Sequence, residues 1–293
     1  MSDLWSGFPN QSAHLLPKPE KGRDKEREKE RKIWRSLFRR AHYTRVVATG
    51  SHSDISVIIP VLNDAEALDL ALSSTQDCTG VERIVVDGGS SDESAEVALS
   101  RGVKILHSPP GRARQMNAGA EVAEGTFLVF LHADTRLPEG FDYHVRRILT
   151  QSGVAAGAFQ LQIDAPSARW RFIEKTANWR SQYLQMPYGD QAIFLRAELF
   201  REMGGFPDLP IMEDFELIRR LKGRGRIVIA PAAVLTSARR WERLGAVRTT
   251  LINQLMILGF YLGFEPSRLA RWYRHAKRAN PKSQIQNSKR TRN

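Results

Sequence analysis

The sequence has very little cysteine: Cys78 is the only one among 293 residues. A single cysteine excludes an internal disulfide and a zinc-finger framework. Cys78 stands between a predicted helix and a predicted strand, where we expect it to be a small buried apolar residue. A reducing compartment fits this composition.

No apolar run reaches the length of about 20 residues that a membrane-spanning helix needs. The candidate run 251–264 (LINQLMILGFYLGF) has 14 residues, and it contains Asn253 and Gln254 between the flanking Arg248 and Arg268. We expect a core or interfacial amphipathic helix here. The N-terminus lacks the apolar segment of a secretory signal. These absences predict a cytoplasmic protein, with peripheral attachment to the inner face of the cell membrane as an option.

Several short catalytic motifs are also missing. The sequence contains neither GxSxG nor HExxH, and no GxGxxG follows its first predicted strand. These absences argue against an α/β-hydrolase, a zinc metalloprotease and a plain dinucleotide-binding fold.

Acidic residues are absent from one terminal segment and outnumbered in the other. Residues 268–293 carry 9 Lys/Arg and no Asp/Glu, and residues 18–45 carry 12 Lys/Arg against 5 Asp/Glu. The formal net charge of +12 therefore lies in the tails, because residues 46–267 have a net charge of −3. This distribution makes nucleic acid a less favoured partner than the total charge suggests, although basic tails suit an anionic membrane surface, nucleic acid or simply solubility.

The centre of the chain has the pattern of a globular α/β enzyme. Apolar strand patterns (ISVIIP, ERIVVDGG, VKILHS, TFLVFLHAD) alternate with helical ones from Ile55 to Asp134. Short connections between them predict βαβ units, with a largely parallel sheet covered by helices on both faces. In the second of these helices, Ser90 and Glu93 stand at capping-box spacing.

After Phe141 the alternation is less regular. AFQLQID has the period of an antiparallel strand, QAIFLR and RIVIAP predict two further strands, and MEDFELIRRLKGRG predicts a helix. We divide the chain into four parts: a charged tail, flexible or helical (1–52), a catalytic domain (53–240), a C-terminal helical extension with an interfacial option (241–280) and a basic disordered tail (281–293).

Ligands of such sheets bind beyond the carboxyl ends of the strands, which here are residues 60–64, 87–91, 107–111 and 132–134. Asp134 directly follows an apolar strand. As a hard oxygen ligand it could hold Mg²⁺ or Mn²⁺ together with substrate phosphates. It could equally form the turn before RLPEG, and spacing alone gives both interpretations the same weight.

Other charged groups at this edge also have two interpretations. Asp87 could accept a hydrogen bond from a nucleobase or ribose, or it could simply end its strand. Arg112 and Arg114 begin a predicted helix, where free N–H groups and guanidinium groups favour an anion such as phosphate. The alternative is an ordinary solvated helix start. Glu213 and Asp214 begin another helix, where capping is the more common role and general-base catalysis the alternative.

Residues 56–225 resemble the family 2 glycosyltransferases of GT-A fold. The resemblance rests on five motifs in order: VVDGGSSD, GRARQMNAGA, FLHADTRLP, YGDQAIFLR and GGFP…MEDFEL. It implies a GT-A-type nucleotide-binding sheet and inverting transfer of a sugar from a nucleotide-diphosphate donor to a hydroxyl acceptor. It also implies a Mg²⁺ or Mn²⁺ cofactor.

The resemblance also implies roles for single residues. Asp214, or its neighbour Glu213, matches the catalytic base, and Asp134 matches the metal-binding position. The predicted donor-binding residues are Pro60, Asn63, Asp64, Asp87, Arg112, Asn117 and Asp134. The predicted acceptor-side residues are Gly204, Gly205, Arg240 and Trp241.

Three positions depart from the family pattern. Gly88 replaces a second acid after the second strand, which leaves the nucleobase open. His132 replaces the first Asp of the DxD motif, so the metal would depend more on the diphosphate. Ser237 stands where processive members have Gln, which argues against polymer synthesis.

Two other functions compete with glycosyl transfer. Nucleotidyl transfer is disfavoured because PVLND, after the first strand, is neither Gly-rich nor basic. A non-catalytic membrane or nucleic-acid adaptor would rest on the tails alone. The apolar run 251–264 and the basic tails suggest a lipid-like acceptor at a membrane surface.

Overall fold

A computed structural model describes residues 53–76, 78–239, 242 and 245–278 of the chain. The predicted tails 1–52 and 281–293 lie outside the described residues. So do two predicted acceptor-side residues, Arg240 and Trp241.

The N-terminal half of the sheet is parallel, as the alternating pattern predicts. Its strands are β1 (Ile55–Val61), β2 (Val81–Asp87), β3 (Lys104–His107) and β4 (Phe127–Phe130). β1 lies between β2 and β4, and β2 also pairs with β3. All residues of β1 are buried, as expected for a strand whose two faces are both covered.

The predicted helices connect these strands. They are α1 (Ala65–Ser73), α2 (Ser94–Ser100) and α3 (Arg112–Val122). The predicted capping box of Ser90 and Glu93 is wrong, because α2 begins only at Ser94 and Glu93 makes no capping hydrogen bond. Asp92 accepts the N–H of Ser94 instead, at 3.1 Å. Ser90 serves a different contact, with the loop that follows β1.

The C-terminal half of the sheet is mixed. Its strands are β5 (Thr135–Arg136), β6 (Val154–Asp164), β7 (Phe194–Arg196) and β8 (Arg226–Ser237). β7 joins the halves, since it runs antiparallel to both β4 and β6. β8 is parallel to β6 and antiparallel to β5. The eight described strands have the order β3-β2-β1-β4-β7-β6-β8-β5.

The strand predicted over QAIFLR is shorter than expected. A 3₁₀ turn occupies Gly189–Gln191, Ala192 has a φ of 48°, and β7 begins only at Phe194. The buried amide of Gln191 explains the difference. It donates to the carbonyl of Phe159 (2.9 Å) and accepts from the hydroxyl of Ser181 (2.7 Å). A ladder position would leave these groups unpaired.

The remaining described helices are α4 (Phe141–Leu149), α5 (Ala168–Leu184), α6 (Ala197–Glu202), α7 (Glu213–Leu221), α8 (Ala246–Tyr261) and α9 (Pro266–Arg278). The helix predicted over 251–264 corresponds to α8. Among the described residues, no helix combines the length and apolar character that crossing a bilayer requires.

A second apolar cluster attaches the C-terminal helices to the sheet domain. Met212 and Phe215, at the start of α7, pack with Ile252 and Met256 of α8 and with Leu269 of α9. Separately, Cys78 lies half-buried against the main core between α1 and β2, close to its prediction. The apolar cluster that joins α7 to α8 and α9 matters for function, because α7 begins with the predicted catalytic acids.

Candidate active site

The loops after β1 and β2 are joined at the carboxyl edge of the sheet. The N–H of Asn63 donates to the hydroxyl oxygen of Ser90 (2.9 Å), and the side-chain oxygen of Asn63 accepts the N–H of Ser91 (2.7 Å). Asn63 has a φ of 54°, in the left-handed region that Asn tolerates better than most residues. These hydrogen bonds hold together the two loops that contain the predicted donor-binding residues Asn63 and Asp64 and the turn after Asp87.

Gln115 of α3 forms hydrogen bonds with the ends of both strands at this edge of the sheet. Its buried Nε2 donates to the carbonyls of Val61 and Val86, each at 2.8 Å. Pro60, the residue before Val61, is buried within β1. The ends of β1 and β2 are thus held by a side chain that spacing did not single out.

Asp87 is 3% exposed, and its carboxylate forms the turn after β2. It accepts the N–H groups of Gly89 (3.1 Å) and Ser90 (3.0 Å), and His107 Nδ1 lies 3.3 Å away. These contacts support the interpretation that Asp87 ends its strand and stabilises the turn that follows. A contact of Asp87 with a nucleobase or ribose stays a prediction.

Asp64 forms a two-pronged ion pair with Arg239, which follows β8. The two guanidinium nitrogens lie 2.9 and 2.8 Å from the two carboxylate oxygens. These hydrogen bonds raise the pKa of Arg239 above its ordinary value, and the nearby charge of Asp134 adds to the shift. Arg239 belongs to the SARRW segment, but the resemblance pointed to its neighbour Arg240.

Asp134 is half-buried and lines a small cavity of about 140 Å³ with Arg239, Ser237 and Asp164. Its charge also acts on Arg112, on the other side of the strand edge. Burial lowers the pKa of Arg112, but the carboxylates of Glu213, Asp214 and Asp134 outweigh it and leave that pKa raised. Asp134 therefore lies within electrostatic reach of both Arg112 and Arg239.

The metal prediction can be compared with the groups around Asp134. Among the described residues, no three His, Cys, Asp or Glu side chains converge as a protein-only metal site requires. Mg²⁺ often binds one or two carboxylates and completes its shell with substrate phosphates and water. Asp134 fits this second kind of site, in which the metal arrives with a diphosphate.

His132 and Asp214 meet at Gly189. The N–H of Gly189 donates to Asp214 Oδ2 at 2.7 Å. A Cβ atom on Gly189 would lie 2.8 Å from His132 Nε2 and 3.1 Å from Asp214 Oδ2. The absence of a side chain at Gly189 thus lets these two side chains approach the same point without a shift. His132 consequently belongs with the predicted base, although the family pattern places it with the metal.

Glu213 and Asp214 have different surroundings. The Glu213 side chain is 5% exposed, and one of its oxygens lies 3.1 Å from Arg112, the first residue of α3. The Asp214 carboxylate instead accepts the backbone N–H groups of Gly189 and Phe215. Arg114, also predicted at an anion site, forms an exposed ion pair with Asp208 at 2.9 Å.

Asn117 connects α3 to the GGFP loop. Its amide donates to the carbonyl of Phe206 and accepts the N–H of the same residue, both at 2.9 Å. Gly204 and Gly205, which directly precede Phe206, have φ values of 77° and 73°. Both ends of the Asn117 side chain are used in this contact. Its predicted contact with the donor stays a prediction.

A larger cavity, of about 280 Å³, lies beside these groups. Arg112, His132, Glu213 and Asp214 line one part of it, and α8 and α9 line another. Asp134 lines the smaller cavity instead. The carboxyl edge therefore has two compartments, with Asp134 facing one and Asp214 facing the other.

A family model described as glycosyl transferase family 2 matches residues 56–204, from β1 to the first glycine of the GGFP loop. The chain belongs to glycosyl transferase family 2. This family 2 member is therefore a glycosyltransferase, and its mixed α/β fold is the one the resemblance implied. The nucleotidyltransferase and adaptor alternatives are set aside.

Two relatives illustrate what this glycosyltransferase is similar to. "Uncharacterized protein MT1568" of Mycobacterium tuberculosis is 27% identical over 236 residues, which cover 70% of this chain and 74% of that protein. "PGL/p-HBAD biosynthesis glycosyltransferase" of Mycobacterium bovis is 41% identical over 93 residues, covering 29% of this chain and 36% of its own length. The second match spans about a third of that relative.

Solved structures share the fold at low identity. The mannosyltransferase PcManGT from Pyrobaculum calidifontis, in complex with GDP-Man and Mn²⁺, superimposes with a TM-score of 0.54 at 17% identity. It covers 78% of this chain and 69% of its own. TarS of S. aureus (residues 1–349), in complex with UDP, gives 0.51 at 18% identity and covers 63% and 60%.

Proposed function

We propose that this glycosyltransferase moves a sugar from a nucleotide-diphosphate donor to a hydroxyl acceptor with inversion. The observation that carries the proposal is the pairing of two compartments at one sheet edge, with Asp134 in one and Asp214 in the other. Donor and acceptor can then approach the same point from different sides. The fold neighbour bound to GDP-Man and Mn²⁺ supports the donor class.

On the donor side, the diphosphate lies near Asp134. Arg112, at the start of α3, lines the larger cavity but is within electrostatic reach of Asp134. A divalent cation, Mg²⁺ or Mn²⁺, supplies positive charge to the leaving diphosphate when it is bound. Asp134 is the residue that would hold it. Arg112 adds a fixed positive charge at the N-terminus of α3, where the helix dipole also favours an anion.

On the acceptor side, Asp214 acts as the general base. The acceptor oxygen forms a bond to the anomeric carbon while the bond from that carbon to the diphosphate oxygen breaks. The acceptor proton passes to Asp214, and the nucleoside diphosphate leaves with the electron pair. Glu213 is the weaker candidate because its charge is engaged by Arg112. One displacement inverts the anomeric configuration.

The test uses the full chain in two steps. A thermal-shift panel of UDP-, GDP- and TDP-sugars, each with and without Mn²⁺, identifies the donor as the sugar that stabilises the protein with metal present. Anomeric analysis of the transfer product then follows. Inversion supports the role of Asp214, and retention would overturn it.

A peripheral position at an anionic membrane is the second part of the proposal. α8 exposes Leu251, Leu255 and Leu258, and Leu262 directly follows the helix; each is more than half accessible. The C-terminal segment 268–293 adds nine Lys/Arg and no acid. An apolar face beside positive charge suits an anionic lipid surface and a lipid-like acceptor.

Vesicle sedimentation tests this position. We expect binding to phosphatidylserine-containing vesicles and little binding to pure phosphatidylcholine, with release when salt is raised. Leu258→Ser should weaken binding several-fold, whereas Leu99→Ser, an exposed leucine on α2, should not. Binding that ignores salt and both substitutions would contradict the proposal.

A further inference from the structure

The outer face of α5 is aromatic. Phe172, Trp179 and Tyr183 are each more than half exposed, and the rings of Trp179 and Tyr183 lie 5.8 Å apart. At about 100° per residue, the three side chains fall within roughly 40° of one another around the helix, so they form one stripe. We call these three residues the aromatic stripe. The exposed face of a surface helix is normally polar, so the stripe needs an explanation.

The polar side of α5 explains why the aromatic side chains face outward. Beyond the short pairing of β6 with β7, side chains of α5 bind the backbone of β6. Asn178 accepts the N–H of Leu161 (2.7 Å) and donates to the carbonyl of the same residue (3.0 Å). The buried Glu174 accepts the N–H of Ile163 (2.7 Å). Because these hydrogen bonds fix which side of α5 faces the sheet, the stripe on the opposite side is directed outward.

The stripe belongs to the most apolar part of the described surface. Eleven of the fifteen exposed large apolar side chains among the described residues lie on α5, α8 and α9 or in the connection between the last two. These helices are neighbours, since α8 contacts both α5 and α9. Met186, which follows α5, packs with Ile252 and Met256 of α8. Exposed apolar residues concentrated in this way indicate a docking surface.

The same three helices carry almost no negative charge. Together α5, α8 and α9 contain ten Lys/Arg and a single acid, the buried Glu174. The connection between α8 and α9 adds one exposed acid, Glu265. Residues 46–267, by contrast, have a net charge of −3. The exposed apolar side chains therefore lie in a region whose charge would attract an anionic partner.

We propose that the aromatic stripe of α5 inserts into the headgroup layer of an anionic bilayer. The sheet domain is then docked on the membrane in a fixed orientation, and the C-terminal helices are not its only attachment. Trp and Tyr favour this layer because their rings are apolar and their N–H and O–H groups remain hydrated. The inference rests on the peripheral position in the proposed function and adds a second contact surface, on the sheet domain itself.

Charge favours a lipid surface over a second copy of the chain. Symmetric pairing of two copies through this surface would bring like charges together, which opposes association. An anionic bilayer offers opposite charge and accepts apolar side chains at the same time. Single-stranded nucleic acid would find rings to stack on in Trp179 and Tyr183, but it offers the exposed leucines of α8 no apolar partner.

Sedimentation of the full chain with phosphatidylcholine vesicles that contain about a third phosphatidylserine measures the contribution of the stripe. Trp179→Ser and Tyr183→Ser should each lower the partition coefficient about fivefold or more, because each removes a ring from the interface. Tyr143→Ser is the matched control, since Tyr143 is an exposed tyrosine on α4. It should change binding by less than about twofold. All three variants should keep the wild-type unfolding temperature, because exposed side chains contribute little to stability.

Fluorescence quenching locates Trp179 directly. Vesicles of the same composition with brominated phosphatidylcholine quench tryptophan that enters the bilayer. The wild type should lose more fluorescence than Trp179→Phe bound to the same vesicles, because Phe keeps the ring but removes the reporter. Equal quenching of the two proteins would overturn the insertion of the stripe.

The other outcomes separate this inference from the proposed function. Stripe variants that bind vesicles as well as the wild type would overturn docking through α5 and leave the peripheral position of α8 standing. A wild type that does not bind would overturn both, whereas donor stabilisation with Mn²⁺ tests glycosyl transfer separately.

Three further results would replace the lipid with another occupant. A dimer that the stripe variants convert to monomers in sedimentation velocity would identify a second copy. A lower unfolding temperature of these variants would indicate that another segment of the chain covers the stripe. A labelled single-stranded oligonucleotide that binds the wild type more tightly than vesicles do, and is lost in the same variants, would identify nucleic acid.

Discussion

The two compartments of the carboxyl edge are built in different ways. The predicted donor residues lie at strand ends that follow one another in the sequence, from Asn63 to Asp134, although the small cavity at Asp134 also takes Asp164, Ser237 and Arg239 from later in the chain. The acceptor compartment joins His132 and Gly189 to α7, α8 and α9, which come from distant parts of the chain. Local order thus makes the donor side readable from motifs, whereas the acceptor side depends on tertiary packing.

The largest expected effect separates chemistry from donor binding. Asp214→Asn removes the proposed base and should lower kcat about a thousandfold, since general bases contribute on this scale. Donor affinity should stay within about twofold, because Asp214 belongs to the other compartment. Asp208→Asn, which removes a nearby exposed acid, should keep normal kcat. A large loss of donor binding in Asp214→Asn would erase the distinction between compartments.

Asp134→Asn should have the opposite signature. We expect the metal-dependent part of donor binding to fall about a hundredfold, because the substitution removes the only carboxylate proposed to hold the cation. Titration of the donor with and without Mn²⁺ measures this loss. Asp164→Asn is the matched control, since Asp164 lines the same small cavity. Equal effects of both substitutions would show that general charge, and not a metal contact, explains the result.

Gly189→Ala should damage the acceptor compartment more mildly. The added methyl group would meet His132 Nε2 at 2.8 Å and Asp214 Oδ2 at 3.1 Å, so one of them must move. We expect kcat to fall about tenfold, with donor affinity kept. Gly223→Ala provides the comparison, because its nearest neighbour would lie at 3.4 Å. Full activity in Gly189→Ala would mean that the contact does not position the base.

The smallest effect concerns the contact between α3 and the GGFP loop. Asn117→Ala removes both hydrogen bonds to Phe206 and should lower the free energy of unfolding by about 1–2 kcal/mol. Urea denaturation measures this change. Gln151→Ala, which removes an exposed amide at the end of α4, should change it by less than about 0.5 kcal/mol. A selective loss of donor binding without loss of stability would instead favour the predicted contact with the donor.

The parallel half of the fold follows directly from the sequence, for a physical reason. Each buried strand is an apolar run that ends in polar turn residues, and the helix that follows it returns the chain to the opposite edge of the sheet, which makes neighbouring strands parallel. Ile55 and Phe127 begin two such strands and lie side by side in the sheet. The helix over 251–264 was also predicted, because its length and apolar content exclude a short strand.

The errors and omissions arise where distant contacts decide the outcome. QAIFLR has the residues of a strand, but Gln191 finds partners on β6 and α5 that only the folded chain provides. Gln115 looks like an ordinary helix residue until its two carbonyl acceptors are in place. Arg239 has a partner 175 residues earlier, which no local pattern indicates.

That last contact has a consequence for synthesis on the ribosome. Asp64 emerges early, but Arg239 follows it by 175 residues. At about 5–20 residues per second, the delay is roughly ten to thirty-five seconds. During that interval Asp64 lacks the guanidinium group that pairs with it in the folded chain. We therefore expect the loop after β1 to reach its final arrangement only once the residues that follow β8 have been made.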